Sequence, residues 1–144
     1  MPLPKDLREF IGLLNSNGVE YVIVGAHALA FHGMPRFTGD IDFLVRPSAE
    51  NAACVVAALH QFGFKSLTVA DFTAEDQIVQ LGFPPNRIDV LTSISGCSFA
   101  EVWAGRKEST LDGQPVSFLG LDEFKKNKRA SGRPKDLADL DSLE

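Results

Sequence analysis

The stretch from residue 21 to residue 45 constrains the fold of this chain more than any other. Residues 21–24 are apolar and typical of a buried strand, Gly25 then ends the strand, and residues 26–31 suit a short helix. A second apolar strand follows, and it begins with Asp40-Ile41-Asp42. Because side chains alternate along a strand, Asp40 and Asp42 project from the same face, roughly 7 Å apart at the backbone. The apolar residues between and after them then point into a core.

The two aspartates predict a bound cation. Neighbouring carboxylates repel each other, by ~4 kcal/mol at about 4 Å for an effective dielectric of about 20. A chain that keeps both therefore neutralises them with a cation or leaves one of them protonated. Carboxylate oxygens suit Mg²⁺, and Mg²⁺ beside a glycine turn is typical of phosphate chemistry. The pattern favours a nucleotide site, and a solvated acidic strand edge is the simpler alternative.

Two further features support the nucleotide interpretation. Asp89 lies in another short apolar run, and it joins Asp40 and Asp42 in one cluster if that run forms a neighbouring strand. Three converging carboxylates suit one or two divalent ions, which lie about 3.5–4 Å apart in two-metal sites. Gly25 stands at the end of its strand, where backbone amides and a following helix N-terminus can hold a phosphate.

The remaining chain predicts a mixed β-sheet flanked by helices, an α/β (α+β) architecture. Residues 77–83 and the strand of Asp89 are separated by Pro84-Pro85-Asn86, which predicts a hairpin. Further strands are expected at residues 64–69 and 116–119, and helices at residues 4–15, 48–61, 99–105, 122–130 and 134–143. The glycines of a Rossmann fingerprint and of a P-loop are both missing.

Composition limits the class of protein. The chain has 144 residues, 44% hydrophobic and 23% charged, which predicts a single domain over residues 1–144 with a short helical tail at about 121–144. Its net charge of −5 argues against a long nucleic acid as the main partner, although basic residues crowd positions 125–135. Cys54 and Cys97 lack metal-ligand spacing and fit a reducing compartment. The sequence has no signal or membrane-spanning segment, so we expect a cytoplasmic protein without a membrane partner.

In their order along the chain, these residues resemble the nucleotidyltransferase superfamily typified by DNA polymerase beta. The signature of that superfamily is an apolar residue, a glycine and a small residue, then Asp-x-Asp or Asp-x-Glu, and a third carboxylate on a later strand. Here the matching residues are Val24-Gly25-Ala26, Asp40-Ile41-Asp42 and Asp89. The tail is similar to the ending of small bacterial nucleotidyltransferases related to the abortive-infection (AbiEii-type) toxin branch, with Lys125-Lys126-Asn127-Lys128 followed by Gly132-Arg133-Pro134-Lys135-Asp136-Leu137-Ala138-Asp139-Leu140.

The resemblance implies a nucleotidyltransferase-like fold in which Asp40, Asp42 and Asp89 bind Mg²⁺, or Mn²⁺, and act in catalysis. It places the tail lysine, Lys128, near the triphosphate, and a solvent-facing helical lysine is the alternative. The candidate nucleotide-binding residues are Gly25, Ala26, Arg36, Thr38, Lys128 and Arg133. Arg36 has two equal interpretations, as the partner of a phosphate or of Asp40. The chain departs from the family at Ala26, where a serine hydroxyl often contacts the nucleotide, so only the backbone amide is left for that contact.

The reaction implied by the resemblance is transfer of a nucleoside monophosphate from an NTP, such as ATP, to a hydroxyl acceptor. A small molecule, a tRNA end and a protein side chain all remain open as acceptors. Two other functions also remain open: a non-catalytic module that binds a nucleotide or a partner on the same fold, and a component of a toxin–antitoxin pair. A homodimer or a partner protein that completes the acceptor site is a further expectation.

Overall fold

A six-stranded mixed sheet flanked by helices forms the body of the molecule. The computed structural model describes residues 3–34 and 39–143. The strands are β1 (Tyr21–Val24), β2 (Asp40–Val45), β3 (Ile78–Leu81), β4 (Arg87–Leu91), β5 (Lys107–Leu111) and β6 (Gln114–Phe118), in the spatial order β3-β4-β2-β1-β6-β5. The helices are α1 (Lys5–Ser16), α2 (Gly25–Phe31), α3 (Ala49–Phe62), α4 (Phe99–Gly105), α5 (Leu121–Ser131) and α6 (Pro134–Leu143). The predicted mixed α/β architecture is confirmed.

Strand β2 lies near the centre of the sheet and has neighbours of both directions. It pairs antiparallel with β1 and parallel with β4. Strands β3 and β4 form the antiparallel hairpin expected from the Pro84-Pro85-Asn86 turn. On the other side, β6 is parallel to β1 and β5 is antiparallel to β6. The helix that joins β1 to β2 therefore connects antiparallel strands, and the parallel neighbour of β2 comes from much later in the chain.

The alternation along β2 separates the hydrophobic core from the acidic residues. Ile41 and Phe43 are buried on one face of the sheet. The Phe43 ring meets the ring of Phe10 on α1, with centroids 5.3 Å apart, and α3 packs beside α1. Asp40 and Asp42 project from the opposite face because they alternate with these apolar residues. One strand thus supplies both the core and the acidic pair.

Two expected elements differ in the structure. Residues 64–69 form no strand, and Thr68 instead begins a 3₁₀ turn at Val69–Phe72, where its backbone amide donates to Asp71 Oδ2 at 2.8 Å. This local hydrogen bond uses the Thr68 amide, which is then not available for pairing with a neighbouring strand. Strand β5 was not predicted, because its residues are largely polar and exposed at the edge of the sheet. Its partner β6 runs from Gln114 to Phe118, slightly earlier than the predicted 116–119.

Within residues 3–34 and 39–143, no helix combines the length and the apolar character that a membrane crossing requires.

The start of α3 holds the adjacent ends of β1 and β2 together. Ser48 caps the helix, with its Oγ accepting from the backbone amide of Asn51 at 3.2 Å. The buried Asn51 side chain accepts from the amide of Glu20 at 2.8 Å and donates to the carbonyls of Glu20 and Arg46, each at 3.0 Å. Glu20 precedes β1 and Arg46 follows β2, so one amide group holds the adjacent ends of both strands.

We expect Asn51→Ala to lower the free energy of unfolding by about 2–3 kcal/mol, because it leaves buried backbone groups without partners. Urea denaturation followed by circular dichroism measures the loss. Gln61→Ala on the exposed side of the same helix is the matched control and should change stability by less than about 0.5 kcal/mol. Equal losses in the two variants would contradict this role of Asn51.

Candidate metal and nucleotide site

Three carboxylates meet on the sheet face opposite Phe43. The parallel pairing of β2 with β4 sets Asp42 opposite Asp89 and Asp40 opposite Arg87. One carboxylate oxygen from each of Asp40, Asp42 and Asp89 lies within 4.8 Å of the others. The strand of Asp89 is therefore the neighbour of β2, which is the condition under which the sequence placed Asp89 in the cluster. This spacing allows all three side chains to contact a single cation.

The three aspartates differ in environment. The Asp89 side chain is 8% exposed and that of Asp40 is 28% exposed. Burial, followed by the charges of Asp40 and Asp89 and a hydrogen bond with Asp89, raises the pKa of Asp42 to about 7. Burial and the neighbouring carboxylates thus favour the protonated form of Asp42 in the metal-free cluster, and a cation would have to displace that proton.

Arg87 is a site residue that the sequence reasoning missed. Its Nε donates to Asp89 Oδ1 at 2.9 Å, and its Nη2 donates both to Asp89 Oδ2 at 3.1 Å and to Asp40 Oδ2 at 2.6 Å. The signal was present in the sequence, because residues 87 and 89 lie two apart on one strand and share a face. The bond to Asp40 depends on the register between two strands, which the sequence does not display.

Gly25 brings the end of β1 against the acidic cluster. It has a φ of 71°, in the left-handed region, and a Cβ at this position would overlap Asp42 Oδ2. Any other residue would collide with that carboxylate unless Asp42 moved. Gly25 is also the first residue of α2, whose N-cap, Val24, has no side-chain cap. The glycine of the signature is therefore required by its close approach to Asp42.

A cleft of two adjoining cavities opens beside the acidic cluster. One cavity of about 410 Å³ contains Asp40, Asp89 and Ala26 in its wall, and the other, of about 620 Å³, is lined by polar side chains such as Asn127 and Ser93. The residues that line both cavities are Gly25, Asp42, Ile78, Leu91, Lys128 and Arg133. The candidate residues from the N-terminal signature and from the tail thus face the same cleft.

The two tail cations both pair with the buried carboxylate of Asp136. Lys128 Nζ lies 3.1 Å from Asp136 Oδ1 and 3.4 Å from Asp139 Oδ2, and its side chain is only 12% exposed. The alternative of a solvent-facing lysine is therefore wrong. Arg133 donates to both Asp136 oxygens, at 2.7 and 3.3 Å, while most of its side chain stays exposed. Asp136 lies in the first turn of α6, but its main partners are these side chains.

Two of the candidate nucleotide-binding residues, Arg36 and Thr38, lie outside the described residues. Lys135, in the tail signature, lines the smaller cavity beside Asp139. Of the sequence-predicted site residues, the structure brings together Asp40, Asp42, Asp89, Gly25, Ala26, Lys128 and Arg133.

Comparison with known proteins identifies the fold. No protein family matches the sequence, and no curated protein has a detectably similar sequence. Among solved structures, this chain is similar to a protein from Thermotoga maritima whose assignment as a nucleotidyltransferase is itself provisional. The TM-score is 0.62 at 16% sequence identity, over 95% of this chain and 87% of that chain. At this identity the likeness shows the fold alone, so the chain has a nucleotidyltransferase-like fold.

The raised pKa of Asp42 predicts a pH-dependent penalty in the metal-free protein. The pKa of this carboxyl rises from an ordinary value of 3.8 to about 7 on folding, so folding stability falls as pH rises through that window. Asp42→Asn removes the charge, and we expect it to raise the melting temperature at pH 8 far more than at pH 4. Thermal unfolding in EDTA measures the effect, with the exposed Asp6→Asn as control. A variant less stable than wild type at pH 8 would refute the prediction.

The Asp136 network predicts the opposite dependence. Hydrogen bonds from Arg133 and Lys128, together with their charges, lower the pKa of Asp136 from 3.8 to about 2. The folding stability that Asp136 contributes is therefore present above pH 3.8 and is lost as pH falls toward 2. Asp136→Asn should cost about 2 kcal/mol at neutral pH and progressively less in acid. Urea unfolding across pH tests this against Asp141→Asn on the exposed side of α6. A loss that did not vary with pH would contradict the ion-pair explanation.

Proposed function

We propose that this chain is a metal-dependent nucleotidyltransferase that moves a nucleoside monophosphate from an NTP to a hydroxyl acceptor. The observation that carries the proposal is the in-register pairing of Asp42 with Asp89, which gathers three carboxylates in the wall of a cleft. The nucleotidyltransferase-like fold supports the same conclusion. A metal-bound triphosphate is the one substrate that would use all three features of the site: the acidic cluster, the glycine at the end of β1 and the tail cations.

The residues present fit a divalent cation. Three carboxylate oxygens within 4.8 Å of one another are a hard-oxygen donor set of the kind that Mg²⁺ and Mn²⁺ prefer. The guanidinium of Arg87 already bonds to two of the three carboxylates, so the metal-free cluster attracts positive charge. We assign Asp40, Asp42 and Asp89 as the ligands. When bound, the metal would neutralise charge on the phosphates and in the transition state.

The protein's own groups would orient the reactants. The amides of Gly25 and Ala26 would hold phosphate oxygens, and Lys128 and Arg133 would add positive charge from the tail. Asp89 would accept the proton of the acceptor hydroxyl. The hydroxyl oxygen would form a bond to the α-phosphorus, and the bond from that phosphorus to the pyrophosphate oxygen would break in line.

The tail supports a place near the abortive-infection branch, which the resemblance suggested. Its lysine, arginine and two aspartates form an ion-pair network, and three of the four, Lys128, Arg133 and Asp139, line the cleft. We therefore expect these residues to act at the same site as the Asp-x-Asp strand. For a toxin of that branch, we expect expression to slow growth and Asp40→Ala to relieve the effect. Normal growth on expression of the wild type would favour modification of a small-molecule acceptor instead.

The first experiment is calorimetric titration of the four NTPs into wild type and Asp40→Asn/Asp42→Asn, with and without Mg²⁺. We expect binding that requires Mg²⁺ and is reduced at least tenfold in the double variant, because the variant loses two anionic ligands. Asp6→Asn, an exposed carboxylate on α1, should bind like wild type.

The NTP that binds is then used, labelled at its α-phosphate, to detect transfer to candidate acceptors. Asp42→Asn should abolish transfer while remaining folded. Substantial transfer by this folded variant would overturn the metal assignment. Mg²⁺-dependent binding of an NTP without transfer to small molecules, tRNA or protein would favour the non-catalytic alternative, which the missing hydroxyl at Ala26 motivates.

A further inference from the structure

Arg87 places its positive charge beside two of the three carboxylates. Its Nη2 lies between Asp40 Oδ2, at 2.6 Å, and Asp89 Oδ2, at 3.1 Å. Both partners belong to the set of carboxylates whose oxygens lie within 4.8 Å of one another. We propose that Arg87 is the resident counter-ion of the metal-free cluster and that a divalent metal displaces its guanidinium from Asp40 as it binds. This inference rests on the proposed metal site.

The contacts of Arg87 with its two carboxylate partners differ in how readily they open. Asp89 receives two parallel hydrogen bonds, from Nε and Nη2, and belongs to the same strand two residues away. Its side chain is 8% exposed. Asp40 receives one hydrogen bond from Arg87 across the neighbouring strand and is 28% exposed. Bidentate pairs hold their geometry more firmly than single bonds, so the contact to Asp40 is the one that opens.

Charge explains why the metal and this contact exclude each other. A divalent ion held by Asp40 and Asp89 would stand beside the guanidinium, and like charges repel strongly at such distances. Mg²⁺ also demands near-ideal geometry from its oxygen ligands, whereas Nη2 now fixes the Oδ2 atoms of both carboxylates. Movement of Nη2 away from Asp40 would free the Oδ2 atom of that carboxylate and increase the distance between the guanidinium and the metal, while Nε would keep its bond to Asp89 Oδ1.

The exchange makes Arg87 a residue that sets the metal affinity. In the metal-free protein it holds Asp40 and Asp89 close together by offsetting their mutual repulsion. The same bonds must be given up in part when the metal arrives, so they weaken its binding. Arg87 thereby keeps the ligands in place and raises the metal concentration at which the site fills.

The test is calorimetric titration of Mn²⁺, with Mg²⁺ as competitor, into wild type, Arg87→Met and Arg87→Lys. Arg87→Met removes the competing cation and should bind Mn²⁺ at least tenfold more tightly than wild type. Arg87→Lys keeps the charge without the planar fork, so its affinity should lie between the two. Its retained charge also protects the fold if the methionine variant is unstable.

Arg46→Met is the matched control. It makes the same chemical change at the other end of β2, where Arg46 pairs with Glu20 at 3.0 Å, and it should leave Mn²⁺ affinity within about twofold of wild type, as expected for distant sites. Equal gains in Arg46→Met and Arg87→Met would show a general charge effect and overturn the displacement.

A second readout follows the guanidinium directly. The ¹⁵N resonances of the Arg87 side chain, assigned by their loss in Arg87→Lys, should shift on addition of Mg²⁺, while those of Arg46 stay unchanged. Resonances of Arg87 that remain fixed at saturating Mg²⁺ would overturn the inference, as would unchanged or weaker Mn²⁺ binding by Arg87→Met. Absence of Mn²⁺ binding in every folded variant would instead remove the proposed metal site itself, a result distinct from binding that ignores Arg87.

Discussion

The parallel pairing of β2 with β4 is the interaction on which the site depends. It sets Asp42 beside Asp89 and Asp40 beside Arg87, although these residues are separated by almost fifty positions in the sequence. The two strands are immediate neighbours, so their carboxylates meet directly. A shift of one residue in this register would turn the partners of β2 to the opposite face and disperse the cluster. The hairpin with β3 supports β4 on its other edge, and Asn51 holds the end of β2 beside the start of β1.

The two faces of the sheet have different roles. The Phe43 face packs against α1 and supplies the hydrophobic core, whereas the Asp42 face carries the charged groups. Buried apolar contacts on the first face stabilise strands whose second face is electrostatically unfavourable. On that second face, burial and the neighbouring carboxylates raise the pKa of Asp42. A site that gathers like charges is tolerated because the same strands gain stability from the core behind it.

Much of this arrangement follows from local sequence patterns, and the remainder does not. The Asp-x-Asp strand, its buried alternate residues and the hairpin that carries Asp89 could be predicted because periodicity and turn residues are local. The role of Arg87 toward Asp40 depends on strand register, and the pairing of Lys128 with Asp136 depends on how α5 and α6 pack. The false strand at residues 64–69 and the missed β5 reflect a local capping hydrogen bond and a polar edge, respectively.

The charges in and around the cleft have a consequence for the order in which ligands arrive. Among the described residues that surround it, acidic groups outnumber basic ones: Asp40, Asp42, Asp76, Asp89, Asp136 and Asp139 against Arg87, Lys128, Arg133 and Lys135. A bare polyanion approaching this surface meets a potential of its own sign, even with Asp42 protonated. A divalent cation cancels the excess of negative charge. The cation and the polyanion should therefore each strengthen the binding of the other. The cleft is thus suited to admit an ion pair rather than either ion alone.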